Sequence, residues 1–491
     1  MRKHLGFAGR SAGFLCILCV CILITYRIIT PKICYDEMLS TTLSYVNFYE
    51  IKKDTTDVIF LGSSLAATAC IPQEMYDRYG IRSYNLASEK QSPVISYYWL
   101  KEALRRQSPK VVVMDCNYLF QTNDKILNTT EDAIWRAIDY MKWSPVKLEA
   151  IRTVCELDAE QSFGSYLFPN IRYHERWAEL TEEDFTLARI ANEYDLKGYS
   201  PLAGQWGGEG EAPYGKGADA GKTPMLPLME RYLDDIVALC EQEGTALILI
   251  NVPQLHADAG KYQTMQKYAQ EHGVSYYDFN EKTLYAASDY DFATDSYDTA
   301  HTNLWGAQKI TAYLGGILEK EYGIRGNTDE QWESTKASYA AIRKDCELIH
   351  MTDIDNYIEA LRDDRYSVFL SAKGGYAAAL RDSTVQRLRQ AGLEVALQTD
   401  DSKEDFYCYY AVLSDGQTEE YIGYDQRVCS GSIRNGKTTF EITGGGSILI
   451  DGEEVSRQKE GLNIVVYHNV KNRVLDSVCF DTSTEENTAN R

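Results

Sequence analysis

Five short apolar runs, separated by stretches with a helical pattern, constrain the fold of this chain more than any other feature. Each run is five to seven residues long, which is the length of a buried strand rather than of a helix. The runs cover residues 57–61, 81–86, 110–114, 246–252 and 274–279. Helices are predicted between and after them, at 92–107, 226–244, 261–272 and 304–322. This alternation predicts an α/β fold in which helices cover both faces of a parallel sheet, over residues 55–325.

Two regions depart from the alternation. Residues 120–225 form a predicted insertion that is partly helical and ends in a glycine-rich loop at 204–221. After a polar linker at 326–345, the pattern changes to helix, strand, helix and then mostly strands, which predicts a β-rich domain over 346–484. The last residues, 485–491, are polar and are expected to form a frayed tail.

The N-terminus has the pattern of a membrane anchor. Residues 11–26 are uncharged and mostly apolar, and extension through Ile29 gives about the length that a bilayer needs. The preceding basic residues are expected to stay in the cytoplasm, which places the rest of the chain outside the cell. A cleaved signal peptide is the alternative, although no small-x-small site follows the apolar run. We therefore expect a transmembrane anchor within residues 1–35, followed by a helical stalk at 36–54.

Composition excludes one class of function. The chain carries 50 Lys and Arg against 72 Asp and Glu, a net charge of −22. The first 35 residues contain five basic and no acidic residues, so the remainder carries −27. Such a chain repels phosphate backbones, which argues against nucleic-acid binding. The seven histidines are scattered without a metal-ligand spacing, so we expect no metal and no cofactor.

Two loops at the carboxyl edge of the predicted sheet carry residues for nucleophilic catalysis. Ser64 follows the first strand at the turn into a helix, where backbone amides can stabilise an oxyanion. Asp298 and His301 follow the last strand, before the closing helix. A serine needs a base to activate it and a third group to orient that base, and these residues supply the set. The alternative is that Ser63, Ser64, Asp298 and the nearby asparagine only cap helices.

The same two loops resemble a known family. Residues 57–65 (DVIFLGSSL) and 298–301 (DTAH) resemble the first and last blocks of the SGNH/GDSL hydrolase superfamily. The longer pattern Asp-x-x-His-x-Asn-x-x-Gly-Ala, residues 298–307, resembles its membrane-anchored branch. That branch includes the alginate acetyltransferase proteins and the D-alanyl transfer protein of teichoic acid synthesis. The resemblance covers about residues 55–322 and implies an SGNH-like three-layer α/β/α domain.

The resemblance implies roles for individual residues. Ser64 matches the family nucleophile, His301 the base and Asp298 the carboxylate that orients the base. Ser63 stands where the family has an aspartate, so it remains a second candidate for the attacking serine.

The middle blocks of the family pattern are different here. The second-block glycine, an oxyanion donor, should fall near residues 85–88, where there is no glycine. The third-block Gly-x-Asn-Asp is absent after Met114. The backbone amides of Ala87 or Ser88, and the side chain of Asn117, are the expected substitutes.

A further candidate cluster lies in the aromatic block at 166–177, inside the insertion. His174, Arg176 and Trp177 combine a cation with aromatic rings, which can hold a sugar or an anionic substrate. The alternative, which we favour, is that this block packs onto the domain beneath it.

The β-rich domain has a resemblance of its own. Ser-Gly-Ser-Ile-Arg-Asn-Gly at 430–436, a triple glycine at 444–446 and Gly-Leu-Asn-Ile-Val-Val-Tyr at 461–467 resemble an interleukin-like EMT-inducer (ILEI/GG) domain. Such domains are compact β-sandwich-like modules, and some relatives bind carbohydrate. The resemblance implies a glycan-binding appendage, while a spacer or a dimerisation module is the alternative.

Together these features predict a single-pass surface protein that acts on a cell-envelope polysaccharide as a serine-dependent O-acyltransferase or acylesterase. The anchored branch also implies a membrane-bound O-acyltransferase as the partner that supplies acyl groups. The alternative is a catalytically inactive SGNH-like surface protein that binds glycan or assists envelope polymer assembly. The altered middle blocks favour that alternative, and the joint presence of the three triad residues opposes it.

Overall fold

The computed structural model describes residues 2–30, 41–185, 195–210, 213–215, 221–394, 408–433 and 436–491. The chain divides into two compact units, Met1–Ile342 and Arg343–Arg491.

The bounds of the regular elements in the described residues are as follows. The α-helices are α1 Arg2–Ile29, α2 Thr41–Phe48, α3 Ser64–Ala69, α4 Pro72–Tyr79, α5 Pro93–Leu104, α6 Glu131–Asp139, α7 Pro145–Leu157, α8 Phe163–Leu167, α9 Asn170–Tyr173, α10 Pro227–Glu243, α11 Ala259–His272, α12 Lys282–Ala287, α13 Phe292–Asp295, α14 Leu304–Tyr322, α15 Glu330–Glu333, α16 Lys336–Leu348, α17 Ile354–Ala360 and α18 Asp382–Gln390. The 3₁₀ helices are Asn117–Leu119, His174–Ala178 and Glu182–Phe185. The strands are β1 Val58–Leu61, β2 Ser83–Asn85, β3 Val111–Asp115, β4 Ala246–Asn251, β5 Ser275–Asp278, β6 Tyr366–Lys373, β7 Cys408–Ser414, β8 Gln417–Gly423, β9 Val428–Ser432, β10 Thr439–Thr443, β11 Ile448–Ile450, β12 Glu453–Glu454, β13 Gly461–His468, β14 Arg473–Asp481 and β15 Thr488–Asn490.

The five predicted strands of the first unit are confirmed, and they form one parallel sheet. Their spatial order is β2-β1-β3-β4-β5, and Val58 of β1 lies opposite both Ser83 and Val111. In this order the topological switch point falls between β1 and β3, which is where doubly wound sheets bind ligands. The carboxyl ends of β1 and β3 are therefore the expected position of a site.

Helices cover both faces of the sheet, because side chains alternate between its two sides. Ile59 and Leu61 of β1 belong to a core that includes residues of α5 and α10. Val58 and Phe60 belong to the opposite core, which includes residues of α4 and α14. Strands buried on both faces require continuous apolar sequence, which is the pattern that predicted them.

Three boundary predictions are wrong. The expected stalk at 36–54 is not a spacer in its described part, because Tyr45 of α2 stacks on Trp99 in the core with ring centroids 4.5 Å apart. The expected linker at 326–345 contains α15 and most of α16, and its Trp332 is fully buried. The expected frayed tail contains β15, which pairs with β14.

The second unit is β-rich, as predicted. A six-stranded antiparallel sheet has the order β15-β14-β13-β6-β7-β8, and a four-stranded antiparallel sheet has the order β12-β11-β10-β9. Residues of both sheets, including Phe369, Val465 and Ile442, share one apolar core. Gly461 at the start of β13 has φ +113°, and a Cβ there would lie 2.1 Å from the Phe480 carbonyl oxygen, so only glycine fits.

The N-terminal helix α1 contains a 20-residue span, Arg10–Ile29, with mean hydropathy 2.4. By length and composition this span can cross a membrane, and a signal sequence has the same properties.

Candidate active site

Ser64 is placed by a sharp turn at the carboxyl end of β1. The strand ends at Leu61, Gly62 takes a left-handed φ of +136°, and Ser63 caps α3 by accepting the Leu65 amide on its hydroxyl. A Cβ at Gly62 would lie 2.6 Å from the Asp115 Cβ, so β3 can approach this turn only because residue 62 is glycine. Ser64 is thereby the first residue of α3, at the switch point.

A tight loop before α14 presents the other two residues. An isolated antiparallel bridge joins Ser296 to Thr302, and the Tyr297 amide donates to the His301 carbonyl at 2.8 Å. Inside this loop, Asp298 Oδ1 accepts the amides of Ala300 and of His301, each at 2.8 Å. The carboxylate is therefore fixed by its own loop before it contacts the imidazole.

The structure brings the three predicted catalytic residues together. The Ser64 Oγ lies 2.9 Å from His301 Nε2. On the other side of the ring, His301 Nδ1 lies 2.9 Å from Asp298 Oδ2 and 3.1 Å from Oδ1. Ser64 is 8% exposed, and the side chain of His301 is 19% exposed. A hydroxyl, an imidazole and a carboxylate, the groups that nucleophilic catalysis by serine requires, are in hydrogen-bond contact and partly accessible to solvent.

We call the contacts between Ser64, His301 and Asp298 the relay. Their hydrogen bonds determine which atoms carry the protons. Burial raises the pKa of Asp298, but hydrogen bonds from the His301 ring, the His301 amide and the Ala300 amide outweigh it and lower the pKa to about 2. The carboxylate is then ionised at neutral pH and can only accept, so His301 Nδ1 carries the hydrogen. With neutral imidazole, Nε2 is left as the acceptor for the Ser64 hydroxyl, which is the tautomer that a general base requires.

Two further residues of the 298–307 pattern have structural roles. Asn303 caps α14 by accepting the amides of Trp305 and Gly306 at 3.1 Å, while its Nδ2 donates to the Thr294 carbonyl at 2.7 Å. A Cβ at Gly306 would lie 2.2 Å from the Asp295 carbonyl oxygen. Both residues hold the loop that carries Asp298 and His301 against the start of α14. The capping interpretation is thus correct for Asn303, and Asp298 contacts the imidazole instead.

Ser63 has a different environment from Ser64. It is fully buried, and its hydroxyl donates to Asp115 Oδ2 at 2.8 Å while accepting the Leu65 amide at 3.3 Å. Burial raises the pKa of Asp115, against hydrogen bonds from Ser63 and from the Asn117 amide. The geometry therefore gives the contact with the imidazole to Ser64 and a positioning role to Ser63.

Asp115 is the site residue that the sequence interpretation missed. Its two oxygens join the turn after β1 to the turn after β3, because Oδ2 accepts Ser63 and Oδ1 accepts the Asn117 amide at 3.2 Å. Its place directly after the predicted strand 110–114, at the same sheet edge as the serines, was the pattern that could have identified it.

The expected oxyanion donors differ in whether their N–H groups already have an acceptor. The Ser88 amide already donates to the Gly62 carbonyl at 3.2 Å. Ala87 packs against Ala66 and Ala67 of α3. Within the described residues, the amides of Ala87 and Ser64 and the side-chain nitrogen of Asn117 have no hydrogen-bond acceptor. The Ser64 and Ala87 amides lie at or beside the turn after β1 and are the candidates for binding a developing oxyanion. The Asn117 side chain instead contacts Gln254, whose Nε2 lies 3.4 Å from Asn117 Oδ1.

The second predicted cluster is not brought to the triad. His174 is exposed, and its Nδ1 bonds to the Ile171 carbonyl at 2.8 Å. Arg176 donates to the Ile29 carbonyl and to Asp184 Oδ1, the latter at 3.0 Å. None of these bonds joins Ser64, His301 or Asp298. Arg176 is held within the insertion, whereas His174 and Trp177 are exposed, so the predicted substrate-binding cluster is not formed at the triad.

No cluster of three or more histidine, cysteine, aspartate or glutamate side chains suited to a metal ion occurs in the described part of the chain. Comparison with known proteins gives no match to a protein-family model and none to a curated protein.

Proposed function

We propose that this chain is an SGNH-like, cell-surface, serine-dependent O-acyltransferase or acylesterase that acts on a cell-envelope polysaccharide. The observation that carries the proposal is the relay in which Ser64 Oγ, His301 and Asp298 are joined by contacts of 2.9 Å. It forms at the switch point of a doubly wound sheet, from two loops that lie 237 residues apart in sequence.

The proposed reaction proceeds by acyl transfer through Ser64. Its Oγ attacks the acyl carbonyl carbon while His301 Nε2 takes the hydroxyl proton, and Asp298 stabilises the imidazolium that forms. The donor's oxygen leaves with that proton as the acyl–serine ester forms. An acceptor hydroxyl, from a sugar or from water, then gives its proton to His301 and attacks the ester, and Ser64 regains its proton as its Oγ leaves.

The proposed location follows from α1. A 20-residue span of mean hydropathy 2.4 preceded by basic residues suits an anchor with its N-terminus in the cytoplasm. The two units would then lie outside the cell, beside envelope polysaccharide and beside a membrane-bound O-acyltransferase that supplies acyl groups. In the same proposal, the second unit is an ILEI-like module that binds glycan.

One observation favours a second candidate function, an inactive SGNH-like protein that binds glycan or assists polymer assembly. The Ser88 amide, a predicted oxyanion donor, is already bonded to the Gly62 carbonyl. An oxyanion hole with fewer donors stabilises the transition state less, by about 3 kcal/mol for each donor lost.

The test is active-site labelling of the full chain in detergent with a fluorophosphonate probe, followed by peptide mass spectrometry. We expect the wild type to be labelled on Ser64, and Ser64→Ala and His301→Ala to lose the label. His174→Ala is the matched histidine control because its side chain is 66% exposed, and Ser63→Ala is the matched serine control. Both are expected to keep the label when circular dichroism shows that they are folded.

Two results would contradict the proposal. A folded wild type that takes no label would favour the glycan-binding candidate. Label that is lost in Ser63→Ala and kept in Ser64→Ala would make Ser63 the nucleophile.

A further inference from the structure

We infer that residues 163–185 form a second membrane contact, in which exposed apolar side chains of the insertion enter the lipid interface beside the end of α1. Throughout this section these residues are called the interfacial segment. The inference rests on the proposed insertion of α1 in a membrane, and it adds a lipid-binding surface to the catalytic unit.

The interfacial segment is unusually apolar on its outside. Outside α1, twelve large hydrophobic side chains in the described residues are exposed, and six of them belong to these 23 positions. The six are Phe163, Leu167, Phe168, Ile171, Trp177 and Phe185. Four of them are at least 56% exposed. Exposed apolar side chains concentrated in one short stretch favour an interaction site over an ordinary soluble surface.

The polarity of the interfacial segment is inverted. In α9, Ile171 is 56% exposed, whereas the side chain of its neighbour Arg172 is only 5% exposed. Arg172 points inward, donates to Asp139 Oδ1 at 2.7 Å, and lies over the Tyr166 ring at 4.8 Å from its centroid. A soluble surface would place the arginine outside and the isoleucine inside. Apolar side chains outside a charged interior suit a lipid environment.

The structure also ties the interfacial segment to the end of α1. Arg176 donates to the Ile29 carbonyl, one of the carbonyls that a helix end leaves without an intrahelical partner. The same guanidinium pairs with Asp184. Helix α9 and both 3₁₀ helices of the segment contact α1.

The length of α1 sets the depth of that contact. The 20-residue span Arg10–Ile29 rises about 30 Å, which equals the hydrocarbon thickness of a bilayer. If α1 spans the membrane, its Ile29 end lies at the boundary between acyl chains and headgroups. Residues bonded to that end lie at the same level, where tryptophan and other aromatic side chains are enriched.

Charge determines which lipid surface fits. Exposed Glu175 and Glu179 lie among the apolar side chains, while Arg172 and Arg176 are held in internal ion pairs. The attachment is therefore apolar insertion rather than attraction to anionic headgroups. We expect stronger contact with phosphatidylcholine than with phosphatidylglycerol, and little dependence on salt.

The experiment uses the full chain in phosphatidylcholine vesicles that contain a phospholipid with a diazirine near its headgroup. After irradiation, labelled peptides are counted by mass spectrometry. Peptides from α1 report whether the anchor is inserted. The matched control is the peptide with Tyr424 and Val428, which are 54% and 60% exposed in the second unit.

We expect peptides from the interfacial segment to carry at least about tenfold more label than the Tyr424 and Val428 peptide. The triple substitution Phe168→Ser, Ile171→Ser and Trp177→Ser should lower that label about tenfold and leave α1 labelling unchanged. These positions are exposed, so the substitutions should not unfold the unit. The double substitution Tyr424→Ser and Val428→Ser should change neither the label on the interfacial segment nor the label on α1.

Three outcomes would overturn the inference. Label on α1, with the interfacial segment no more labelled than the Tyr424 and Val428 peptide, would reject the lipid contact and leave the anchor intact. Absence of label on α1 would reject the anchor and the lipid contact together. In native membranes, the segment could be cross-linked to a protein and not to lipid. That result would show that the surface binds a protein partner instead of lipid.

Discussion

Among the described residues, the first unit has a histidine–aspartate pair at 2.9 Å and the second unit has one at 3.2 Å. The two pairs differ in what the second ring nitrogen contacts. In the first unit, His301 uses Nδ1 for Asp298, and its Nε2 faces the Ser64 hydroxyl. In the second unit, His468 Nε2 lies 3.2 Å from Asp345 Oδ2. The His468 Nδ1 accepts two backbone amides, at 3.2 and 3.1 Å. The rings therefore hold opposite tautomers.

The surroundings of the two carboxylates also differ. Asp345 is 3% exposed and accepts Tyr366 at 2.6 Å, Lys471 at 2.6 Å and Arg365 at 2.9 Å. Burial raises its pKa, but hydrogen bonds from His468 and Lys471, with the charge of Lys471, leave that pKa well below its usual range. Asp298 is 36% exposed in its side chain, and its hydrogen bonds within the described residues come from its own loop and the imidazole.

The comparison shows that a histidine–aspartate contact does not by itself indicate catalysis. The His468 ring is fully buried, with Nδ1 accepting two backbone amides and Nε2 lying 3.2 Å from the Asp345 carboxylate. The His301 ring has its second nitrogen 2.9 Å from the Ser64 hydroxyl, and both side chains are partly exposed. Access and a reactive third group distinguish the two pairs, and each prediction below separates them by a measurement.

The largest expected difference is in catalysis. His301→Ala should lower kcat/KM for p-nitrophenyl acetate by about five to six orders of magnitude, because the base of the relay is lost. His468→Ala should change kcat/KM of the folded protein less than about threefold. Equal losses in both folded variants would contradict the assignment of the base to His301.

The next largest effect concerns the orienting carboxylates. Asp298→Asn should lower kcat by about four orders of magnitude, since an amide in place of the carboxylate favours the wrong imidazole tautomer. Asp345→Asn is the matched control and should leave kcat unchanged. Steady-state kinetics at pH 7 would measure both, and full activity in Asp298→Asn would exclude a triad mechanism.

For the free energy of unfolding, the order of the two substitutions should be reversed, with the larger effect in Asp345→Asn. Asp345→Asn should lower the free energy of unfolding of the second unit by about 3 kcal/mol, because it leaves a buried cluster of cations without its carboxylate. Asp298→Asn should cost the first unit less than about 1 kcal/mol, because its carboxylate is part-exposed. Urea unfolding followed by hydrogen exchange of peptides from β13 and from α14 would measure the two units separately. A larger cost for Asp298→Asn would contradict this assignment.

The smallest expected effect is a pH dependence. The pKa of Asp298 is lowered in the folded state from 3.8 to about 2. The ionised carboxylate therefore stabilises the fold above pH 4, and this contribution is lost as the pH falls from about 4 to about 2. Screening by solvent keeps it below about 1 kcal/mol. The difference in unfolding free energy between wild type and Asp298→Asn should shrink over that range, and a difference that is constant with pH would contradict the shift.

The predictions that were confirmed rest on local pattern. The closing helix was expected at 304–322 and is observed with those bounds, because Asn303 caps its start and Gly323 takes a left-handed φ at its end. The apolar runs of β1 and β3 identified buried strands because both faces of the sheet are covered.

The predictions that were wrong depend on partners far away in sequence. Residues 41–48 have an amphipathic pattern that fits a stalk, but Tyr45 stacks on Trp99 of α5. The polar residues around Trp332 suggested a linker, but its indole nitrogen donates to the Ser83 carbonyl, 249 residues away. A local pattern cannot show which distant surface covers an aromatic side chain.

The sequence by itself determined the parallel sheet, the apolar N-terminal helix, the β-rich second unit and the residue types of the triad, because these depend on periodicity and on spacing within one segment. Only the tertiary structure decided that Ser64 rather than Ser63 contacts His301, that the Ser88 amide is engaged, and that Arg176 caps α1 instead of lining the site. Each of these depends on which hydrogen-bond partner folding brings within about 3 Å, and that partner comes from another segment of the chain.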